Sequence, residues 1–184
     1  MFKLNNLVIR EIHSEDLEYL HEFYRFVITH TFEREGIAHL KDDIEREIET
    51  KKKYLEDAIL SNGKERYFLL AFGENQIIGS IEYGPVSPLI VKETNEEYQH
   101  LPEVGSLYVH PNYQKQGIGS KLLQGIFQVL KSKGIKEFCF DSGYKEAQQM
   151  WTNKFGNPNI LLKDYWGEGE HHMIWRRQVD NVLK

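Results

Sequence analysis

From residue 103 the chain reads Glu-Val-Gly-Ser-Leu-Tyr-Val-His-Pro, then Asn-Tyr-Gln-Lys-Gln-Gly-Ile-Gly, then an amphipathic helical pattern. An apolar strand, a polar turn, two closely spaced glycines and a helix start make a place for a phosphate. The first N–H groups of a helix lack intrahelical acceptors and carry partial positive charge, so they hold anions without a basic side chain. Gly117 and Gly119 omit the side chains that would keep an anion away from that backbone.

Several glycine loops could serve this purpose. A P-loop needs Gly-x-x-x-x-Gly-Lys followed by Ser or Thr. Here Gly119 is followed by Ser120-Lys121-Leu122, and Gln114 stands where the earlier glycine belongs, so that reading fails. A Rossmann loop needs a third glycine where this chain has Leu122, and its first glycine follows the strand at once. Here His110 to Gln116 intervene, although Asp141 ends the next predicted strand where a ribose-binding acid could sit.

Gln114-Lys115-Gln116-Gly117-Ile118-Gly119 resembles the Gln/Arg-x-x-Gly-x-Gly/Ala loop of the GCN5-related N-acetyltransferases, the GNAT superfamily. Leu107-Tyr108-Val109-His110-Pro111 resembles the strand and Val-x-Pro exit that precede that loop. Ala147-Gln148-Gln149-Met150-Trp151-Thr152-Asn153-Lys154-Phe155-Gly156 resembles the family's later helix, with its Phe-Tyr pair and Lys-x-Gly-Phe end. The resemblance implies an N-acetyltransferase that uses acetyl-CoA, or another acyl-CoA, as co-substrate and needs no metal. The pyrophosphate would rest on the backbone from Lys115 to Ser120, with Gln116, Gly117, Ile118 and Gly119 at its centre and Gln114 leading in. The pantetheine arm would pair like a strand with Leu107, Tyr108 and Val109, and Trp151 would face the cofactor from the later helix.

Amine acylation needs a neutral amine, a stabilised oxyanion and departure of the thiolate. An alkyl ammonium titrates near ~10.4, so about one amine in a thousand is nucleophilic at neutral pH, and a base corrects the deficit. The resemblance points to Glu103 as that base, with Glu82 of the neighbouring predicted strand as the next choice, there to bind a cationic acceptor. Regular alternation sets Glu103, Gly105, Leu107 and Val109 on one face, whereas a bulge would shift that register. A backbone N–H from Leu107 to Val109 would meet the oxyanion. The family's tyrosine acid is replaced by Trp151, whose indole is no practical proton source, so Tyr144 is the substitute candidate. The alternatives are a non-catalytic acyl-CoA sensor that kept the cradle and lost the acid, and a nucleotide-dependent oxidoreductase.

Other residues invite chemistry less directly. Adjacent residues of a strand face opposite ways, so His171-His172 is read as one packed inward and one outward, not as a metal pair. Tyr165-Trp166-Gly167-Glu168-Gly169-Glu170 reads as a hairpin turn with solvated acids, or as carboxylates and ring faces for a cationic amine. Lys115 and Lys121 could draw phosphates but read as solvated. Cys139, the one cysteine, sits in the apolar run Phe138-Cys139-Phe140 and reads as buried packing.

The elements that must position these residues follow from periodicity. Residues 7–12 read as a strand, and Ser14 as the cap of a helix with the apolar face Leu17, Leu20, Tyr24, Val27 and Ile28. Residues 40–61 form a heavily charged helix with the stripe Ile44, Ile48, Leu55 and Ile59, its charges a solvated face, ended by Gly63. Strands at 67–72 and 77–83 make a hairpin, and 84–102, with Pro85, Pro88 and Pro102, reads as an irregular connection. A strand at 103–109, a helix at 117–132, a strand at 135–141, a helix at 145–154 and strands at 159–163 and 171–177 complete the chain. The result is an α/β (α+β) domain. The resemblance refines it to a GNAT-like mixed, mostly antiparallel sheet with a parallel, splayed central strand pair, flanked by helices.

At 184 residues the chain reads as a single domain, 1–184. A formal net charge of −5 argues against nucleic acid as a partner, since that binding depends on phosphate neutralisation. The opening Met1 to Asn6 lacks the apolar core of a signal peptide, and no apolar run could span a bilayer, so no membrane partner is expected. One cysteine excludes an internal disulfide and fits a reducing compartment, so a cytoplasmic location is expected. The partner implied is a small-molecule or peptide amine acceptor, with a homodimer as the family's assembly.

Overall fold

A computed structural model describes residues 6–183; Met1 to Asn5, most of the segment weighed above as a leader, and Lys184 lie outside the described residues. The strands are β1 (Leu7–Glu11), β2 (Tyr67–Gly73), β3 (Gln76–Pro85), β4 (Pro102–Val109), β5 (Glu137–Ser142), β6 (Ile160–Gly167) and β7 (Glu170–Gln178). They form a seven-stranded sheet in the order β1-β2-β3-β4-β5-β7-β6, mostly antiparallel, with β4 and β5 parallel. This is the mixed sheet expected from the sequence. The chain clusters into two compact units, one holding the chain up to Tyr83 with Ser106–Ile126, the other Gly84–Gly105 with the chain from Phe127 onward.

In the first unit, β2 and β3 close through Glu74-Asn75, both left-handed at φ +52° and +66°, the backbone of a tight hairpin whose twist matches its strands. Helices α1 (Leu17–Arg34), α2 (Lys41–Leu60) and the start of α4 (Ile118–Ser132) supply Leu20, Tyr24, Ile28, Ile48, Leu55, Leu122 and Ile126 to its core. Two expectations are corrected here. Ser14 does not cap α1: Ser14–Asp16 forms one 3₁₀ turn, and the Asp16 carboxylate accepts from the His13 N–H at 2.8 Å. Ser14 lies inside that turn, and Asp16, paired with Arg10 at 2.7 Å, takes the N-cap position of α1. The charges of α2 are not all solvated either, because Lys51 is buried while Ile59 is only half-buried.

In the second unit, β5 pairs parallel with β4 at Glu103 and Cys139, and antiparallel with β7. Alternation divides the two faces of β5. Phe138 and Phe140 join Phe127, Trp151, Phe155 and Trp175 in an aromatic cluster, with Phe140 stacked on Trp175 at 5.1 Å. Cys139 faces the other way and packs with Ile90, Tyr98, Leu101 and Ile174. The stretch 84–102 is not wholly irregular, since it contains α3 (Pro88–Glu93), capped by Ser87 and started by a proline at its first position. Six residues are too few to show a period. β6 also runs beyond the expected 159–163, through Tyr165 and Trp166, because a bulge with Asp164 left-handed at φ +53° absorbs the polar interruption. The helix α5 (Lys145–Phe155) ends against Arg177, whose guanidinium donates to the Phe155 carbonyl at 2.8 and 2.9 Å, and α6 (Val179–Val182) closes the description. Among the described residues no helix is long and apolar enough to cross a membrane.

Candidate active site

The first unit carries the glycine loop. The end of β4 is pinned to β3 by the His110 N–H, which donates to the Ile78 carbonyl at 2.8 Å. A 3₁₀ turn, Pro111–Tyr113, then reverses the chain. Burial and nearby His30 hold His110 below the ordinary histidine pKa, and its Nδ1 accepts the Asn112 N–H at 3.2 Å. Gln114 folds back so that its side-chain amide donates to the Val109 carbonyl at 3.1 Å, tying loop to strand. Lys115 and Gly117 are both left-handed, at φ +61° and +80°. Alternating backbone hand of this kind turns successive N–H groups toward one concavity, an anion nest.

A Cβ built at Gly117 would meet nothing within 4 Å, and one at Gly119 only Val109 Cγ2 at 3.8 Å. The protein itself therefore leaves the space over both glycines open. Ile118 is buried beneath the loop, while Ser120, Lys115 and Lys121 are exposed. Leu107, Tyr108, Val109 and Gln114 to Ser120, the expected cofactor residues of this unit, thus lie along one strand, loop and helix start, with Ile118 turned inward.

Behind that segment lies a buried polar network that the sequence did not disclose. A Cβ on Gly79 would stand 3.1 Å from the Tyr108 carbonyl and 3.0 Å from Leu122 Cδ1, so only glycine lets β3, β4 and α4 pack this closely. Glu82, read above as the next choice, there to bind a cationic acceptor, is instead 3% exposed, and its Oε2 accepts from Arg66 at 2.7 Å. Its Oε1 accepts from the Ser106 hydroxyl at 3.2 Å. Burial opposes the Lys51 charge, yet the carboxylates of Glu47 (3.2 Å away) and Glu82 outweigh it and hold the ammonium protonated above its ordinary range. The Tyr108 hydroxyl donates to Glu47 at 3.4 Å. A glycine and an acid inside the apolar strand Ile77-Ile78-Gly79-Ser80-Ile81-Glu82 were the available signals.

In the second unit, half-buried Glu103 lies beside Cys139 in the parallel pair, and its Oε2 accepts the Ser87 N–H at 2.6 Å at the start of α3. Tyr144 is the N-cap residue of α5, its N–H donating to Ser142 Oγ at 3.1 Å and its carbonyl accepting from Gln148 at 2.8 Å. Trp151 belongs to the aromatic cluster, stacked on Phe155 at 5.6 Å. The histidines do face opposite ways. His172 is buried between Asp141, at 2.9 Å from Nε2, and the Trp166 indole N–H, which donates to Nδ1 at 3.1 Å. Half-exposed His171 accepts the Asp164 N–H at 3.0 Å. Asp141 is thereby committed to His172 and is not a free ribose-binding acid. Trp166 is exposed, and Tyr165 donates to Glu93 at 3.2 Å. Among the described residues no group of three His, Cys, Asp or Glu side chains is placed to hold a metal.

Comparison with known proteins agrees with this architecture. The family model described as Acetyltransferase (GNAT) family matches residues 17–156. No curated protein matches the chain. Among solved structures, the PaiA N-acetyltransferase of Thermoplasma acidophilum, in complex with coenzyme A, is 24% identical with a TM-score of 0.66, over 94% of this chain and 99% of that one. The ribosomal-protein-alanine N-acetyltransferase of Brucella melitensis is 19% identical with a TM-score of 0.67, over 93% and 99%. YncA of Salmonella typhimurium, solved with its cofactor acetyl-CoA, is 17% identical with a TM-score of 0.69, over 96% and 95%. With the strand–loop–helix segment in place and the family model spanning most of its length, the chain belongs to the acetyltransferase (GNAT) family.

Proposed function

We propose that this protein transfers an acetyl group from acetyl-CoA to a primary amine. The observation that carries the reading is the cradle from Gln114 to Gly119: two left-handed residues, open space over both glycines and a helix start directly behind. Coenzyme A in the PaiA complex and acetyl-CoA in the YncA structure support the choice of ligand. Acetyl-CoA supplies an acetyl thioester, whose carbonyl carbon is open to an amine and whose thiolate leaves.

The chain's own residues have distinct duties in this proposal. Backbone N–H groups from Lys115 to Ser120 hold the pyrophosphate, and exposed Lys115 and Lys121 add long-range attraction. The backbone of Leu107, Tyr108 and Val109 binds the pantetheine arm and stabilises negative charge on the carbonyl oxygen. Glu103 takes the amine proton, directly or through water, from the start of β4, where its Oε2 accepts the Ser87 N–H. Tyr144, at the N-terminus of α5, is assigned to return a proton to the thiolate, and Trp151 to line the cofactor. The acceptor is a small-molecule or peptide amine, the setting cytoplasmic, and residues 1–184 act as a single domain, assembled as a homodimer.

Calorimetric titration with acetyl-CoA, against CoA, NADPH and ATP, tests the reading. Selective binding of acetyl-CoA and CoA is expected, followed by thiol release over a panel of polyamine, amino-acid, aminoglycoside and peptide amines. Folded protein that binds neither would overturn the reading. Tight binding without turnover over the whole panel would point to an acyl-CoA sensor instead.

A further inference from the structure

Ser106, alone in β4, has a left-handed backbone, φ +51°. That conformation costs free energy for any residue with a Cβ, so something must hold it. Buried polar side chains converge on this serine. Its carbonyl accepts from Ser80 Oγ at 2.9 Å, and Ser80 in turn accepts from the Tyr24 hydroxyl at 2.9 Å. Its hydroxyl donates to Glu82 at 3.2 Å, and Glu82 is gripped by Arg66 at 2.7 Å. The Arg66 guanidinium lies on the Tyr54 ring, 3.6 Å from its centroid, and its Nε is buried without a hydrogen-bond partner. A well-packed apolar pair would fill the same space at no such cost. A strained serine, a buried ion pair and an orphaned donor at one point of the cofactor strand are what a positional constraint requires and simple packing does not.

The backbone torsions at Ser106 set the direction of the peptide groups that follow, those of Leu107 to Val109. We infer that Glu82, held by Arg66, and Ser80, held by Tyr24, are positioning residues for acetyl transfer: they lock the turn at Ser106 and so aim the backbone that meets the cofactor. This rests on the reading of Leu107–Val109 as the cofactor-binding segment. Ser80 and Glu82 can act together because they sit two residues apart in β3, on one face of it.

Two variants separate positioning from stability. Ser106→Gly and Ser106→Ala both delete the hydroxyl, but glycine accepts the left-handed backbone and alanine keeps its strain. Ser106→Gly should therefore melt higher than Ser106→Ala. Both should nevertheless lose about tenfold in kcat, because misaimed groups lower the rate whatever the stability. The rate is read as thiol release from acetyl-CoA with the amine that the panel ranks first, and KM for that amine should stay near the wild-type value. In the free protein, the Leu107 and Tyr108 amides should exchange with solvent faster in both variants. A Ser106→Gly variant with wild-type kcat overturns the inference, and so does unchanged amide exchange. Wild-type protein that binds no acetyl-CoA would instead remove the underlying reading and the role in transfer with it. The exchange data then report separately whether the lock exists.

Discussion

Gly119→Ala separates the cost of a methyl group to the protein from its cost to a bound phosphate. The new Cβ would lie 3.8 Å from Val109 Cγ2, an ordinary van der Waals contact, so the fold has room for it. Gly119 stands in the first turn of α4, where alanine is the better helix former by about 0.5 kcal/mol. The thermal midpoint should hold or rise by about 2 °C. Acetyl-CoA binding should suffer, because the methyl stands between the phosphate and the backbone donors. Losing one charge-assisted hydrogen bond costs about 1.5–3 kcal/mol, which is roughly a 10- to 150-fold rise in Kd. Gly117→Ala should behave differently. Its Cβ meets no neighbour, yet φ is +80°, so the strain of about 1–2 kcal/mol falls on the fold and lowers the midpoint by a few degrees. Scanning calorimetry and titration calorimetry on the same preparations read both quantities. A Gly119→Ala protein that melts like wild type and binds acetyl-CoA as tightly would refute the cradle argument.

Three further outcomes follow from the same geometry. Arg66→Met should cost roughly 3 kcal/mol or more by leaving Glu82 buried without its guanidinium, while Arg66→Met with Glu82→Leu should recover most of that loss; denaturant titrations that give strictly additive effects would contradict the pairing. Burial above all, with the charges of Glu103 and Asp141, pushes the Cys139 thiol far up, so it should resist alkylation at pH 8 until the protein unfolds, and mass spectrometry of native and urea-treated samples decides. Burial would raise the Asp16 pKa, but the Arg10 guanidinium and the His13 N–H outweigh it and lower it. A lowered folded pKa contributes stability that is present above about pH 4 and lost as pH falls through the folded value. The stability gap between wild type and Asp16→Asn should accordingly be open at pH 7 and shrink steadily below pH ~4, and a gap independent of pH would count against the ion pair.

The strand, glycine loop and helix start were legible in the sequence because everything that makes them is local. Strand, turn, glycines and helix start occupy consecutive residues, and a helix N-terminus has its donors wherever the helix lies. The helices α1, α2 and α4 and the hairpin β2–β3 were legible for a similar reason, since their periods of burial repeat within one segment. Helix α3 was not, because a proline and a serine cap can start a single turn that leaves no periodic trace. The start of α1 departed from the Ser14 expectation because Ser14 is taken into a 3₁₀ turn that the Asp16 carboxylate closes by accepting the His13 N–H, with Arg10 of β1 paired to the same carboxylate.

Tertiary structure alone decided what stands behind the cradle. Glu82 in an alternating strand can face water or the interior with equal sequence logic. Its partners, Arg66 and Ser106, lie 16 and 24 residues away, and only the pairing of β2, β3 and β4 brings them within hydrogen-bond reach. The same holds for Asp141 and His172, 31 residues apart, which meet because β5 and β7 run side by side. Local sequence can specify a surface whose donors belong to the backbone. The direction in which a buried side chain completes its hydrogen bonds depends on neighbours that the fold must first bring together.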